Sequence, residues 1–241
     1  PAQLALLIAQ VGDDLNLRSL LGQVRVEAAP DDVSIKHCGQ VTLGRVQGDL
    51  SAQEVQRLEA ASVDDDVSVR NVQALTLGAV GGDLSVSQAG AVAVESVGGD
   101  AALTNIQGDV EIESVAKDLT ASNVGGALHV AAVGSDAVIR GRAAPGQQIH
   151  VRAWDSVTLV LNGPVALHRR RRGGWRALPD WEEIRRQTPN PAQEGGSEVL
   201  VAAGDRVTAA SYDFNASELT ENLNQLGAQL SSLGQTIAEQ V

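Results

Sequence analysis

Apolar residues recur along most of this chain in one short figure. Val80-Gly-Gly-Asp-Leu-Ser-Val86 is followed by Val97-Gly-Gly-Asp-Ala-Ala-Leu103, Ile106-Gln-Gly-Asp-Val-Glu-Ile112 and Val115-Ala-Lys-Asp-Leu-Thr-Ala121. Each unit reads apolar, two turn residues, Asp, apolar, any residue, apolar. With Asp as the marker, the figure recurs at Asp14, Asp32, Asp49, Asp66, Asp83, Asp100, Asp118 and Asp136, in steps of 17 or 18 residues. A second track lies halfway between, at Gln23, Gln40, Arg57, Ala74, Ala91, Asp109 and Ala127, with the same apolar flanks but no constant acid. The repeat is therefore the pair of tracks. A coil of that length, closing on itself and stacking on the next, predicts a β-solenoid with either three short sides or two longer ones.

Burial follows from the register. One residue after the marker stand Leu15, Val33, Leu50, Val67, Leu84, Ala101, Leu119 and Ala137. Three after it stand Leu17, Ile35, Ala52, Val69, Val86, Leu103, Ala121 and Ile139. Three before it stand Val11, Ala29, Val46, Val63, Val80, Val97, Val115 and Val133. All are aliphatic. A spacing of two puts side chains on one face of a strand, so stacked coils predict a column of Val, Leu, Ile and Ala. Ser85, Glu111, Thr120 and His129 are expected to face outward. The glycines before the marker (Gly48, Gly82, Gly99, Gly108, Gly126) are expected at corners of positive φ.

The boundaries expected from the pattern are these. Residues 1–12 form an N-terminal cap or a first strand, and 13–167 form the solenoid. Glu54–Ala60 has some helical character, but the register runs through it, so it is expected as strand. The register slips near Arg142–Gly146, where Pro-Gly marks a loop. Residues 168–196 form a basic and aromatic insertion, and 197–212 the last solenoid strands. Residues 216–241 form an amphipathic α-helix in which Leu219, Leu223, Leu226, Leu230, Leu233 and Ile237 make a heptad seam. That helix either covers the end of the column or pairs with a second copy. Gly227 and Gly234 weaken it by about 1 kcal/mol each.

Composition narrows the functions. Aromatic residues are 2% of the chain, which suits a narrow aliphatic column. The net charge of −12 argues against nucleic acid or an anionic membrane as partner for the body of the protein. The single cysteine, Cys38, excludes an internal disulfide and the Cys-rich zinc patterns. There is no apolar run long enough to span a membrane, and Pro1–Gln10 lacks the basic leader of a signal peptide. A chain that opens on Pro1 is expected to have had a segment before it. The expectation is a soluble protein of the cytoplasm or the cell envelope.

Candidate chemistry is sparse. His37, His129, His150 and His168 are scattered, and no Ser-His-Asp or Cys-His spacing appears. No catalytic residue, cofactor or metal ligand is assigned. The stacked Asp column needs something to offset its repulsion. One account is hydrogen bonds from backbone N–H groups at each Asp's own corner. The other is a calcium ladder, which the sequence disfavours because its acid adjoins the apolar residue and the second Gly is missing. Arg169, Arg170, Arg171 and Arg172 either grip an anionic partner or neutralise the acidic body. Trp175 and Trp181, with Trp154, Tyr212 and Phe214, form either a ligand surface or packing for the C-terminal segments.

The run Val-Gly-Gly-Asp-Leu-x-Val, with Gly-x-Val-x-Val between, resembles the bacterial adhesin-type β-solenoid domains over residues 11–210. It is more distantly similar to bactofilins, compact right-handed β-helices that polymerise end to end. This column is longer than theirs, and the Trp/Arg insertion has no counterpart. The resemblance implies a scaffold or surface role, not a reaction, and transfers no catalytic residue. The function expected is a non-enzymatic scaffold that self-associates, with a glycan or protein as a further partner. The alternative is a carbohydrate-binding or carbohydrate-active β-helix using the aromatic C-terminal end.

Overall fold

The structure is a computed structural model. It describes residues 5–163, 165–171 and 197–211; for 165–171, 197 and 211 only the backbone is described. Among these residues there are strands and no helix, and hence no helix long and apolar enough to cross a membrane. The expected α-helix at 216–241 lies outside the described residues.

The chain winds into a parallel β-solenoid of about 9 turns. It opens with β1 (Ala5–Gln10), β2 (Leu15–Arg18) and β3 (Gln23–Ala29). Four long strands follow, β4 (Val33–Val46), β5 (Leu50–Val63), β6 (Val67–Val80) and β7 (Leu84–Val97), each 14 residues and each a whole coil. Strand β5 runs through Glu54–Ala60 without a break. Each later coil is split in two: β8 (Ala101–Ile106) and β9 (Val110–Val115), β10 (Leu119–Val124) and β11 (Leu128–Val133). Then come β12 (Ala137–Arg142), β13 (Gln148–Ala153), β14 (Ser156–Asn162), β15 (Val165–Arg171), β16 (Ser197–Ala203) and β17 (Arg206–Ser211).

Each coil therefore has two strand segments and two corners. First-track segments stack only on first-track segments, as in Leu84↔Ala101 and Leu119↔Ala137. Second-track segments do the same, as in Val92↔Val110 and Leu128↔Val110. Six aliphatic side chains per coil turn inward. In the coil of Asp83 they are Leu84, Val86, Ala89, Val92, Val94 and Val97, none more than 3% exposed. Burying each such Val or Leu contributes roughly 1.5–3 kcal/mol, and every coil repeats the set. Stacking of like on like is what holds the register.

The coil lengthens from 17 to 18 residues after Asp100 because one residue is added at the second corner. Two residues, Gly90 and Ala91, separate buried Ala89 from Val92. Three, Gln107-Gly108-Asp109, separate buried Ile106 from Val110. That corner then has the Gly-Asp form of the first.

The far end departs from simple stacking. Strand β16 pairs with β13 on one side and β15 on the other, although β15 precedes it in the chain. Strand β17 takes its place on β14.

Candidate functional site

The marker corner is built by backbone groups. Asp49 N–H donates to Asp32 Oδ1 at 2.8 Å, and the same bond joins Asp66 to Asp49, Asp83 to Asp66, Asp100 to Asp83, Asp118 to Asp100 and Asp136 to Asp118. In return the residue after each Asp donates to the carbonyl of the next marker, as Leu84 N–H does to Asp100 O at 2.8 Å. The expectation of bonds within each Asp's own corner is thus corrected: the carboxylate reaches the next coil. Charges one strand spacing apart repel in water by about 1 kcal/mol, while a bond to a charged acceptor contributes roughly 1.5–3 kcal/mol. The bond outweighs the repulsion with no ion required. For Asp118, the N–H of Asp136, the Ser135 hydroxyl and nearby Lys117 hold the carboxyl below its usual range against a small desolvation.

The role expected of the corner glycines is also corrected. Positive φ among the described glycines occurs at Gly141, Gly146 and Gly163, not at Gly48, Gly82, Gly99, Gly108 or Gly126. Glycine is used there for room. A Cβ at Gly82 or Gly99 would run into the Oδ1 of Asp66 or Asp83. The rung is 2.8, 2.7 and 2.8 Å where glycine precedes Asp49, Asp83 and Asp100. It is 3.0 Å where Asp65, Lys117 or Ser135 precedes the marker.

The second corner is different in kind. Five residues past each marker the backbone is left-handed, at Ser19, His37, Glu54, Asn71, Gln88, Asn105 and Asn123, with φ between 55° and 59°. Asn tolerates this region better than most side chains, and three of the seven are Asn. Their exposed side chains form a polar ridge. His37 Nε2 lies 3.1 Å from Glu54 Oε2, and Asn123 Nδ2 donates to Asn105 Oδ1 at 3.0 Å. The ridge borders a groove of about 670 Å³ lined by Asn71, Gln88, Asn105, Gln107, Asn123 and Arg142. Its far wall is the loop between β12 and β13. Gln147, 7% exposed, fixes that loop: its Nε2 donates to Val124 O at 2.8 Å and to Gly126 O, and its Oε1 accepts from Ala144 N–H. Beside it Ala143, 2% exposed, takes the core position that register would give Arg142, so the guanidinium stays outside.

The outer face of the second track carries acids. A second groove, also about 670 Å³, is lined in part by Glu59, Glu95, Glu111 and Glu113. Further along, the rings of His129 and His150 meet edge to face with centroids 5.5 Å apart. Burial pushes the His129 pKa down, opposed by Glu111 and assisted by Arg152. His150 Nε2 lies 3.6 Å from Glu198 Oε2. In the first coil the carboxylates of Asp13, Asp14 and Asp31 come within 4.8 Å of one another, all exposed.

The residues singled out from sequence fall mostly elsewhere. Arg169, Arg170 and Arg171 lie on β15, in register with Val201, Ala202 and Ala203, and His168 is in register with Leu200. Arg172, Trp175, Trp181, Tyr212 and Phe214 lie outside the described residues, as does the seam Leu219, Leu223, Leu226, Leu230, Leu233 and Ile237. Trp154 is 39% exposed. The left-handed ridge escaped sequence analysis; its signal is a residue that is polar or Gly at marker plus five in every coil from Ser19 to Gly141. No family model, curated protein or solved structure matches this chain.

Proposed function

We propose that this protein is a non-enzymatic, adhesin-like scaffold that self-associates, with the open first coil as one of its joining surfaces. The observation that carries this is the state of that coil. Among the described residues β1 pairs only with β3 and β2 only with β4, so each leaves a row of backbone donors and acceptors facing outward along the stack. Leu6, Leu7 and Leu21 are 37%, 65% and 86% exposed there, three of the four exposed large apolar side chains among the described residues. An apolar, unblunted edge strand is a template for another chain, and a second copy offers the same strand spacing. The β-solenoid resemblance supports the same role.

Leu7→Lys with Leu21→Lys tests this, because both side chains are exposed and their loss leaves the core intact. Light scattering after size exclusion is expected to show concentration-dependent oligomers of the unaltered chain and smaller species for the double variant. An unaltered chain that stays monomeric throughout, or oligomers indifferent to both lysines, would overturn the proposal.

A second function, glycan binding, is favoured by an observation of its own. The groove at the left-handed corner is lined by amides and one guanidinium, with no carboxylate among its lining residues.

A further inference from the structure

Acids are unevenly placed on this molecule. The chain has 30 of them against 18 lysines and arginines, yet the outward strand positions two and four residues past the marker carry none. The column four residues past the marker reads Arg70, Ser87, Thr104, Ser122, Arg140 on five successive rungs, each in register with the next. An arginine closes each end of a run of three hydroxyls. The adjacent left-handed column supplies the exposed amides of Gln88, Asn105 and Asn123 alongside those hydroxyls. Arg142 lines the groove at the left-handed corner and stands two residues past Arg140 in the chain. None of these three arginines makes an ion pair with a described carboxylate.

We infer that this strip, from Arg70 to Arg140 and Arg142, binds an acidic oligosaccharide laid along the stack. Its hydroxyls and amides both donate and accept, which matches sugar hydroxyls and ring oxygens. The guanidiniums match carboxylate or sulfate groups. The outer arginines sit four strand spacings apart, roughly 19 Å, and an extended pyranose chain advances by close to one spacing per ring. The ligand is therefore about four to five sugars long, with its charges toward the ends of that span. Nucleic acid fits less well. Single strands call for aromatic stacking platforms, which this strip lacks. A peptide fits less well too, because these strands have no free edge and the strip has no apolar pocket.

The inference rests on the glycan-binding function, and the test separates the two. The full chain is titrated calorimetrically with a galacturonate hexamer, a sulfated heparin hexasaccharide, a neutral galactose hexamer and a single-stranded 20-mer DNA. At least one acidic hexamer is expected to bind saturably, ~10-fold or more tighter than the neutral one, and to weaken with added salt. The carboxylated and sulfated arms distinguish the two sources of charge. Arg140→Ala with Arg142→Ala is expected to lower that affinity ~10-fold or more, and Arg70→Ala at the other end to lower it several-fold. Arg25→Ala on the opposite face is expected to leave it unchanged, with circular dichroism checking the fold of each variant. Equal binding of neutral and acidic hexamers overturns this inference and leaves glycan binding standing. No binding of any hexamer overturns both. DNA binding as tight as the acidic sugar, or affinity indifferent to all three arginines, overturns the assignment of this strip.

Discussion

Each coil turns twice, and it turns by two different devices. At the marker corner a carboxylate takes the N–H of the next coil, and glycine makes room for it. At the other corner one residue adopts a left-handed backbone and its side chain points away from the core. The first device ties up one oxygen of its functional group: Oδ1 of every marker from Asp32 to Asp136 is already a hydrogen-bond acceptor. The second asks only for a tolerated φ, so the side chains along the ridge vary from Ser19 through Glu54 to Asn123. The repeated acid thus has a structural role here, and the ridge positions are free of that constraint.

Coil length ties the two corners together. One added residue at Gln107-Gly108-Asp109 turns the second corner into a marker-type corner while Asn105 keeps its left-handed φ of 57°. The rung appears with it, as Ala127 N–H donates to Asp109 Oδ1 at 2.8 Å. The carboxylate rung therefore follows the three-residue Gly-Asp corner and is not restricted to one edge of the stack.

Breaking the marker ladder is expected to have the largest effect. Changing Asp66, Asp83 and Asp100 together to Ala removes three charged acceptors and is expected to lower unfolding stability by about 3–5 kcal/mol. The same three changed to Asn keep an acceptor and shed the repulsion, so that variant is expected to stay within about 1 kcal/mol of the unaltered chain. Urea unfolding midpoints compare them. No loss in either variant would mean that the interstrand bonds contribute nothing, and equal losses that only a charged acceptor serves.

The left-handed corner is expected to respond more weakly and in the opposite chemical sense. Asn105→Ala is expected to cost about 1 kcal/mol and Asn105→Gly about nothing, because the strain lies in φ and not in a lost acceptor. Thermal melts of both variants measure this. A glycine variant as damaged as the alanine one would show that the amide bond to Asn123 dominates instead.

The smallest effect is that of pH on a single rung. The folded carboxyl of Asp118 lies below its usual range. Its contribution is therefore complete above the unfolded value near ~3.9 and is lost as pH falls through the lower folded value. Asp118→Asn is expected to lower stability at neutral pH, where that contribution is complete, and to converge with the unaltered chain in acid, so that its acid limb below about pH 4 is flatter. Denaturant titrations at pH 3 and pH 7 check this; parallel acid limbs for both chains would show that the rung carries no linkage.

Much of this architecture was legible in the residues themselves. A side chain's face is set by local spacing, so the positions one and three after the marker, with Val46, Val63, Val80, Val97, Val115 and Val133 before it, could be assigned to the core one by one. The same reasoning carried strand through Glu54–Ala60. What needed the third dimension were relations across coils. A carboxylate bonding the N–H of a residue 17 positions on cannot be told locally from one that closes its own turn, and a glycine kept for a neighbour's oxygen looks like a glycine kept for φ. For the same reason the strip from Arg70 to Arg140 shows no motif in the linear sequence. Its members lie 17 or 18 residues apart and become neighbours only when the coils stack, as do β13 and β16, which the chain joins out of order. Side-chain direction is a property of the neighbouring residues in the chain; adjacency between coils is a property of the closed, hydrogen-bonded stack.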